Sequence, residues 1–425
     1  MILLNKNVLV RWSIVILFFT FSCSDLSENL EKTDANLNSG VTLDARQISE
    51  LNENIQTSLN EIQKKYGFPG ITAAYKLPQA YVSGFASGMA DKEKGLVMQP
   101  HMLMLSASIG KMYVGAVLSQ LVAENLLNLN DPLSKWLGHK TWFKRLPNAD
   151  SITIAHLASH TAGLPDHVYS KEFAEFAVTA KGNPGLLLSP EELISFILDK
   201  EPLCSPGKEF KYTDTGFLLL GLAIEEATHQ NYYDLLKERL LNPLNLLETV
   251  LANRRDIPNI TQAYTPKDNM FGLPEFVIED GLMTHHPGIE WTGGGLASSA
   301  TDLVRWSSAL FTTDIAGANY TELVMENAST HITNLEVPYV GYGLGVKIRD
   351  TEFGRMFYHT GWTLSYYSNV SYYVDSGISL SFMVNTDNPQ YMTGKLLKPI
   401  RNELMKVMLK AVNKAIEHKE DANSK

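Results

Sequence analysis

Ser108 and Lys111 stand three residues apart in the stretch LSASIGKMYVGAVLSQ, at the head of an apolar run. That spacing puts both on one side of a helix's first turn. Met112, Tyr113, Ala116, Val117 and Leu121 continue the segment as an apolar helical stripe. A lysine in a first turn faces the positive end of the helix dipole, a poor place for a cation on structural grounds alone. Beside a serine in dry surroundings it has a chemical use, because a lowered proton affinity lets it help deprotonate a nucleophile. The N–H groups at the same helix start favour an alkoxide and a developing oxyanion. A Ser-x-x-Lys spacing is weak by itself, and Ser205 and Lys208 repeat it. Pro206 and Gly207 make that second occurrence a turn, so its lysine has no fixed relation to its serine.

Other chemistry-bearing residues lead elsewhere. His156 and His160 have the i, i+4 spacing of metal ligands on one helix face, but no carboxylate of a zinc-protease motif lies between them. His285 and His286 are adjacent, point in different directions and read as a loop. Gly293, Gly294 and Gly295 are not followed by phosphate-loop residues and fit close backbone packing beside a cleft. Cys204, between Leu203 and Ser205-Pro206-Gly207, has no neighbouring base and reads as a loop packing residue. No metal or cofactor is expected.

The elements that would position Ser108 follow from periodicity. ARQISELNENIQTSLNEIQKKY places Ile48, Leu51, Ile55, Leu59, Ile62 and Tyr66 three and four apart, the pattern of an amphipathic helix. FPGITAAYK and AYVSGFASGMAD read as two strands joined by a turn. Residues 108–290 carry mainly helical patterns divided by proline and glycine, and strand-like runs return over 341–385, among them YYSNVSYYV and ISLSFMVN. A last helix over 392–417 would set Leu397, Ile400, Leu404, Val407, Ala411 and Ile416 on one face and lysines on the other, a solvated basic surface. Strands, a helical block, then strands and a closing helix predict one sheet built from both ends of the chain, with the site in the cleft beside a helical insertion.

The chain has 425 residues and a formal charge of -10, which excludes a general nucleic-acid binder because such a protein needs basic surface to displace counterions. Lys6 and Arg11 followed by an apolar run from Trp12 to Phe21 read as an export signal over 1–22. Cys23 closes that run and a polar, acidic stretch follows, a pattern that resembles a bacterial lipoprotein signal. The reading divides the chain into the signal, a flexible tether over 23–44, a folded domain over 45–415 with its insertion at 110–290, and a disordered tail over 416–425. Cell-envelope attachment through a lipid on Cys23 is expected, with soluble periplasmic secretion as the alternative.

Further motifs carry a family resemblance. Ser108-Ile109-Gly110-Lys111 is followed by Tyr212-Thr213-Asp214 and His359-Thr360-Gly361, embedded in LNLNDPLSKWL, ITIAHLASHTAGLPDH, SPGKEFKYTDTGFLLLG, WTGGGLASSATDLVRW, VGYGLGVKI and LSFMVNTDN. In order and spacing, these resemble the serine β-lactamase and penicillin-binding-protein superfamily over about residues 45–415. The resembled branch holds class C β-lactamases, D-alanyl-D-alanine carboxypeptidases, D-aminopeptidases and related esterases.

The resemblance implies an α+β fold, an antiparallel sheet flanked by helices with a helical insertion domain. It implies that Ser108 is acylated, that Lys111 tunes its proton, and that Tyr212 is the general base and later the acid. A tyrosine with an ordinary pKa of about 10 needs cationic neighbours for that work, Lys111 among them. The N–H groups of Ser108 and Trp362 would form the oxyanion hole, with Asp214, His359, Thr360 and Gly361 around the substrate. The sequence departs from the class C pattern in two informative places. His359 replaces a lysine that faces a substrate carboxylate, and an ionised Asp214 only accepts hydrogen bonds where asparagine also donates. Both departures, with the bulk of Trp362, favour an esterase or a peptidase for small or amine-bearing substrates over an efficient β-lactamase. The substrate expected is a small ester, amide or peptide. A catalytically silent envelope binding protein on the same scaffold is the reading from another class.

Overall fold

An eight-stranded antiparallel sheet takes its strands from both ends of the chain. The computed structural model describes residues 43–78, 82–266, 269, 274–329, 341–363, 365–386 and 398–410. The signal run, Cys23, the tether as far as residue 42 and the tail over 416–425 lie outside the described residues. Leu43 and Asp44, placed in the tether by the sequence reading, already belong to the folded body. Leu43 is buried, and the Asp44 carboxylate caps helix α1 (Ala45–Tyr66) through a reciprocal pair of bonds with Gln47. Leu51, Ile55, Leu59 and Ile62 form the buried stripe of α1, which packs on the first strands of the sheet.

Those strands are β1 (Gly70–Lys76), β2 (Val82–Asp91) and the short β3 (Leu96–Val97); the returning strands are β4 (Gly341–Gly343), β5 (Val346–Thr351), β6 (Gly354–Thr363), β7 (Tyr366–Tyr373) and β8 (Ile378–Val384). Their order is β3-β2-β1-β8-β7-β6-β5-β4, so the chain's two halves meet where β1 pairs with β8, Ile71 opposite Val384. β7 and β8 are buried along their whole length, as central strands covered on both faces are.

Helices α2 (Gly110–Ala123), α3 (Lys171–Gly182) and α4 (Asp214–Thr228) belong to the insertion. Helix α2 is buried almost all round, where the sequence suggested a one-sided stripe. A helix apolar on every side belongs in the middle of a core. Helix α5 (Ala300–Thr312) packs on β1, β7 and β8 and stacks Trp306 on Tyr113 of α2 with ring centroids 4.0 Å apart. A small three-stranded sheet pairs Met104–Leu105, just before Ser108, with Leu296–Ser298, just after the triple glycine. The closing helix is described over 398–410, and its buried line runs through Ile400, Leu404, Met405 and Met408, with Val407 half-buried.

Candidate active site

Ser108 sits in a tight turn, Ala107–Ile109, that leads directly into α2. Ala107 adopts φ 49, a left-handed conformation that costs a non-glycine residue roughly 1–2 kcal/mol. The surroundings hold it there. Ser106 is fixed by its N–H and its hydroxyl, both donated to the Leu296 carbonyl, and Ser368 donates to the Ser106 carbonyl at 2.7 Å. Two glycines let other backbones close on this turn. A Cβ on Gly361 would stand 2.1 Å from the Ser106 oxygen, and one on Gly294 would stand 2.6 Å from the Ala107 carbonyl carbon. The third motif and the triple glycine thus clamp the serine turn from two sides, as the close-packing reading of the glycines expected.

Lys111 is fully buried and spends its ammonium on three acceptors. It donates to Ser108 Oγ at 3.1 Å, to the Gly293 carbonyl at 2.6 Å and to Asp214, with which it forms an ion pair. Tyr212 precedes α4, and its hydroxyl lies beside that of Ser108. Lys111 Nζ lies 5.1 Å from the centre of the Tyr212 ring. Sequence reasoning looked to Lys111 to bring the tyrosine down towards neutrality, and the balance runs the other way. Burial first, then the Asp214 charge, push the Tyr212 phenol well above its ordinary value, against the opposing bond from Ser108. Tyr212 is therefore a neutral phenol in the resting site.

The same acid side holds two further carboxyls that the sequence reading passed over. Burial and Asp214 push Asp166 and Glu290 each up to about 7. Asp166 accepts from the Asp214 N–H at 3.2 Å, and Glu290 accepts from the Thr363 hydroxyl at 2.9 Å.

Thr360, Gly361 and Trp362 line a cleft of about 280 Å³ together with Ser108, Tyr212 and Asp214. His359 does not. Its side chain is fully buried, with Nε2 3.1 Å from the Tyr342 hydroxyl and Nδ1 2.7 Å from the Thr360 carbonyl, and burial with Lys347 and Lys111 holds it neutral. Its place is structural. Tyr342 packs against His160 at 4.5 Å, and His160 packs, tilted, on Tyr212 at 4.1 Å while its Nδ1 accepts from the Thr213 N–H. His359 thus supports Tyr212 from behind through Tyr342 and His160. The cation missing at position 359 comes from Lys347 of β5, whose Nζ is 3.0 Å from the Thr360 hydroxyl and which lines the cleft. The weaker carboxylate anchor expected from a neutral His359 is offset by this lysine.

The remaining candidates stay apart from this centre. Ser205 and Lys208 are both exposed in their turn. The Cys204 carbonyl accepts from Asn148, a loop packing role. His156 caps its own short helix by accepting from the Thr153 N–H, while His160 packs under Tyr212, and no metal-binding cluster occurs among the described residues. Phe173, Phe176 and Ala177 of α3, with Val168, Tyr169 and Leu186, add an apolar surface to the cleft.

The Beta-lactamase family model matches residues 52–397. Penicillin-binding protein 4* of Bacillus subtilis is 24% identical over 357 residues, covering 81% of this chain and 74% of that protein. Protein flp of Staphylococcus aureus is 32% identical over 164 residues, which span 38% of this chain and 30% of that protein. Among solved structures, the D-amino acid amidase of Ochrobactrum anthropi bound to D-phenylalanine superposes with a TM-score of 0.70 at 21% identity, over 84% of this chain and 99% of the other. A D-stereospecific amidohydrolase from Streptomyces gives 0.68 at 24% identity, over 80% and 96%. These superpositions match the fold expected from the sequence, an antiparallel sheet with helices of the β-lactamase and transpeptidase type.

Proposed function

From the premise that the chain belongs to the beta-lactamase family, we propose that it is a serine hydrolase that cleaves a small ester or amide through an acyl-enzyme on Ser108. The observation that carries this reading is the placement of Ser108 Oγ 3.1 Å from Lys111 Nζ and beside the Tyr212 hydroxyl, with Ser108 and Tyr212 both lining a cleft. Ser108 Oγ attacks the carbonyl carbon, and its proton passes to Tyr212. A neutral tyrosine relays it by accepting at its oxygen while giving its own proton onward to the departing alcohol or amine, so no phenolate need accumulate. The bond to the leaving group breaks, the acyl group stays on Oγ, and water then releases it by the same relay in reverse. The N–H groups of Ser108 and Trp362 are the proposed oxyanion donors.

One of the structural neighbours is named a D-amino acid amidase and another a D-stereospecific amidohydrolase. Amides and esters of D-amino acids are the substrates proposed first, in keeping with the acidic side of the cleft. One observation favours a second reading: Lys347 beside Thr360 supplies a cation for a carboxylate-bearing substrate, as a β-lactam is.

Treatment with a fluorophosphonate followed by peptide mapping tests the assignment. Label on Ser108 that disappears in Ser108→Ala and persists in Ser205→Ala is expected; label elsewhere, or none, contradicts it. We further propose attachment to the cell envelope through Cys23, on the strength of the sequence alone. Release of the exported protein from the membrane fraction by Cys23→Ser would support it, and a wild type already soluble with its N-terminus beyond Cys23 would not.

A further inference from the structure

Glu290 lies in the cleft but outside the Ser108, Lys111 and Tyr212 centre, and no step of the acyl transfer above uses it. Its position is built. The Thr363 hydroxyl, two residues beyond Gly361 on β6, donates to its Oε1 at 2.9 Å. The residue after it, Trp291, takes φ 35 and ψ -118, a conformation a bulky aromatic residue adopts only when its surroundings impose it. Those surroundings are specific: the Gly295 N–H donates to the Trp291 carbonyl at 2.7 Å, and the Thr292 hydroxyl donates to the Phe217 carbonyl at 2.8 Å. Strain of this kind is kept where it fixes a neighbouring side chain.

Lys111 is the cation whose charge acts on Glu290, and its three protons are committed to Ser108, Asp214 and Gly293; Lys181 and Lys347 line the same cleft. Burial and the Asp214 charge weigh on the Glu290 carboxyl, with only partial relief from Lys111 and Thr363. A carboxyl in a half-dry cleft that already contains Asp214 is costly to ionise, and a bound ammonium would offset that cost by charge and by hydrogen bonding. The same cleft is lined by the apolar side chains of Phe173, Phe176 and Leu186. A carboxyl and aromatic rings in one cleft fit a molecule with an ammonium group on an apolar body.

Resting on the serine hydrolase reading, we infer that Glu290 is the specificity-determining residue that receives the ammonium of an aminoacyl substrate, whose apolar side chain lies against Phe173 and Phe176. The substrate class is thereby narrowed to esters and amides of amino acids with an unblocked amino group and a large apolar side chain.

The test compares kcat/KM for phenylalanine 4-nitroanilide, as each enantiomer, with 3-phenylpropionyl 4-nitroanilide, which differs only in lacking the amine. The better enantiomer is expected to exceed the desamino compound by about tenfold or more, the size of one charge-assisted hydrogen bond. Glu290→Gln should shrink that ratio by a similar factor, and Glu290→Asp should recover part of it. A wild type without amine preference overturns the inference, as does an undiminished ratio in Glu290→Gln whose Ser108 still takes fluorophosphonate. Where an anilide is not turned over, protection of Ser108 from the fluorophosphonate gives the same comparison: phenylalaninamide should protect at lower concentration than 3-phenylpropanamide, and equal protection overturns the inference. Labelling of Ser108 without amine preference counts against Glu290 alone, whereas failure of Ser108 to label at all counts against the hydrolase reading itself.

Discussion

Lys347 Nζ lies 3.0 Å from the Thr360 hydroxyl, so a cation reaches the third motif from the strand beside it. β5 and β6 pair with Lys347 opposite Tyr358, which sets the ammonium near Thr360 while the His359 ring turns into the core. Lys347 thus brings a cation to the third motif, while His359 packs behind Tyr212 through Tyr342 and His160.

Lys347→Met should therefore act on substrate charge. The kcat/KM for an ester whose leaving group carries a carboxylate is expected to fall about tenfold or more relative to its neutral counterpart, the range for a hydrogen bond to a charged group. Equal losses on both esters would mean that Lys347 only holds Thr360 in place.

Asp214→Asn tests the acceptor-only character of the second motif. The amide can donate to an acylamide carbonyl, and Lys111 loses its ion-pair partner. Turnover as a whole should drop, while the ratio of kcat/KM for a chromogenic cephalosporin to that for a short acyl ester should rise. A ratio that falls or stays level would contradict this account of Asp214.

A third expectation concerns pH and stability. Glu290 and Asp166, raised to about 7, hold protons in the folded state that the unfolded chain, with carboxyls near about 4, has released. Folding stability from these groups is full below about pH 4 and is lost as pH rises through about 7. Buried histidines run the opposite way: His167, lowered to about 4, and His285, lowered to about 3, favour unfolding as pH falls below about 6.5. Between about pH 6.5 and 8 the carboxyls dominate this balance, so Tm should fall by on the order of 1–2 °C, and by less in Glu290→Gln. Parallel Tm profiles for the two proteins would show that Glu290 does not titrate there.

Much of this arrangement was legible in the sequence, and the rest depended on register and depth. α1 spans the residues its periodicity marked, and YYSNVSYYV and ISLSFMVN became β7 and β8 because aromatic and apolar strand-forming content is a local signal. Ser108, Lys111, Tyr212 and Asp214 were marked by motif and do converge. Lys347 and Glu290 were not marked, since each is a single charged residue whose meaning comes from strand pairing or from one strained turn. The direction of His359 depended on which side of β6 is packed. The Tyr212 shift depended first on its burial and then on Asp214, Asp166 and Glu290 gathering around it, which no spacing along the chain reveals.

The central claim is an acyl group carried on Ser108. Rapid acid quench of the enzyme with a slowly deacylated ester, followed by digestion and mass spectrometry, measures it directly. The acyl mass is expected on Ser108 in the wild type, formed in a burst before steady turnover, with neither adduct nor turnover in a folded Ser108→Ala protein. An adduct on another residue, or turnover that survives the loss of Ser108, would contradict it.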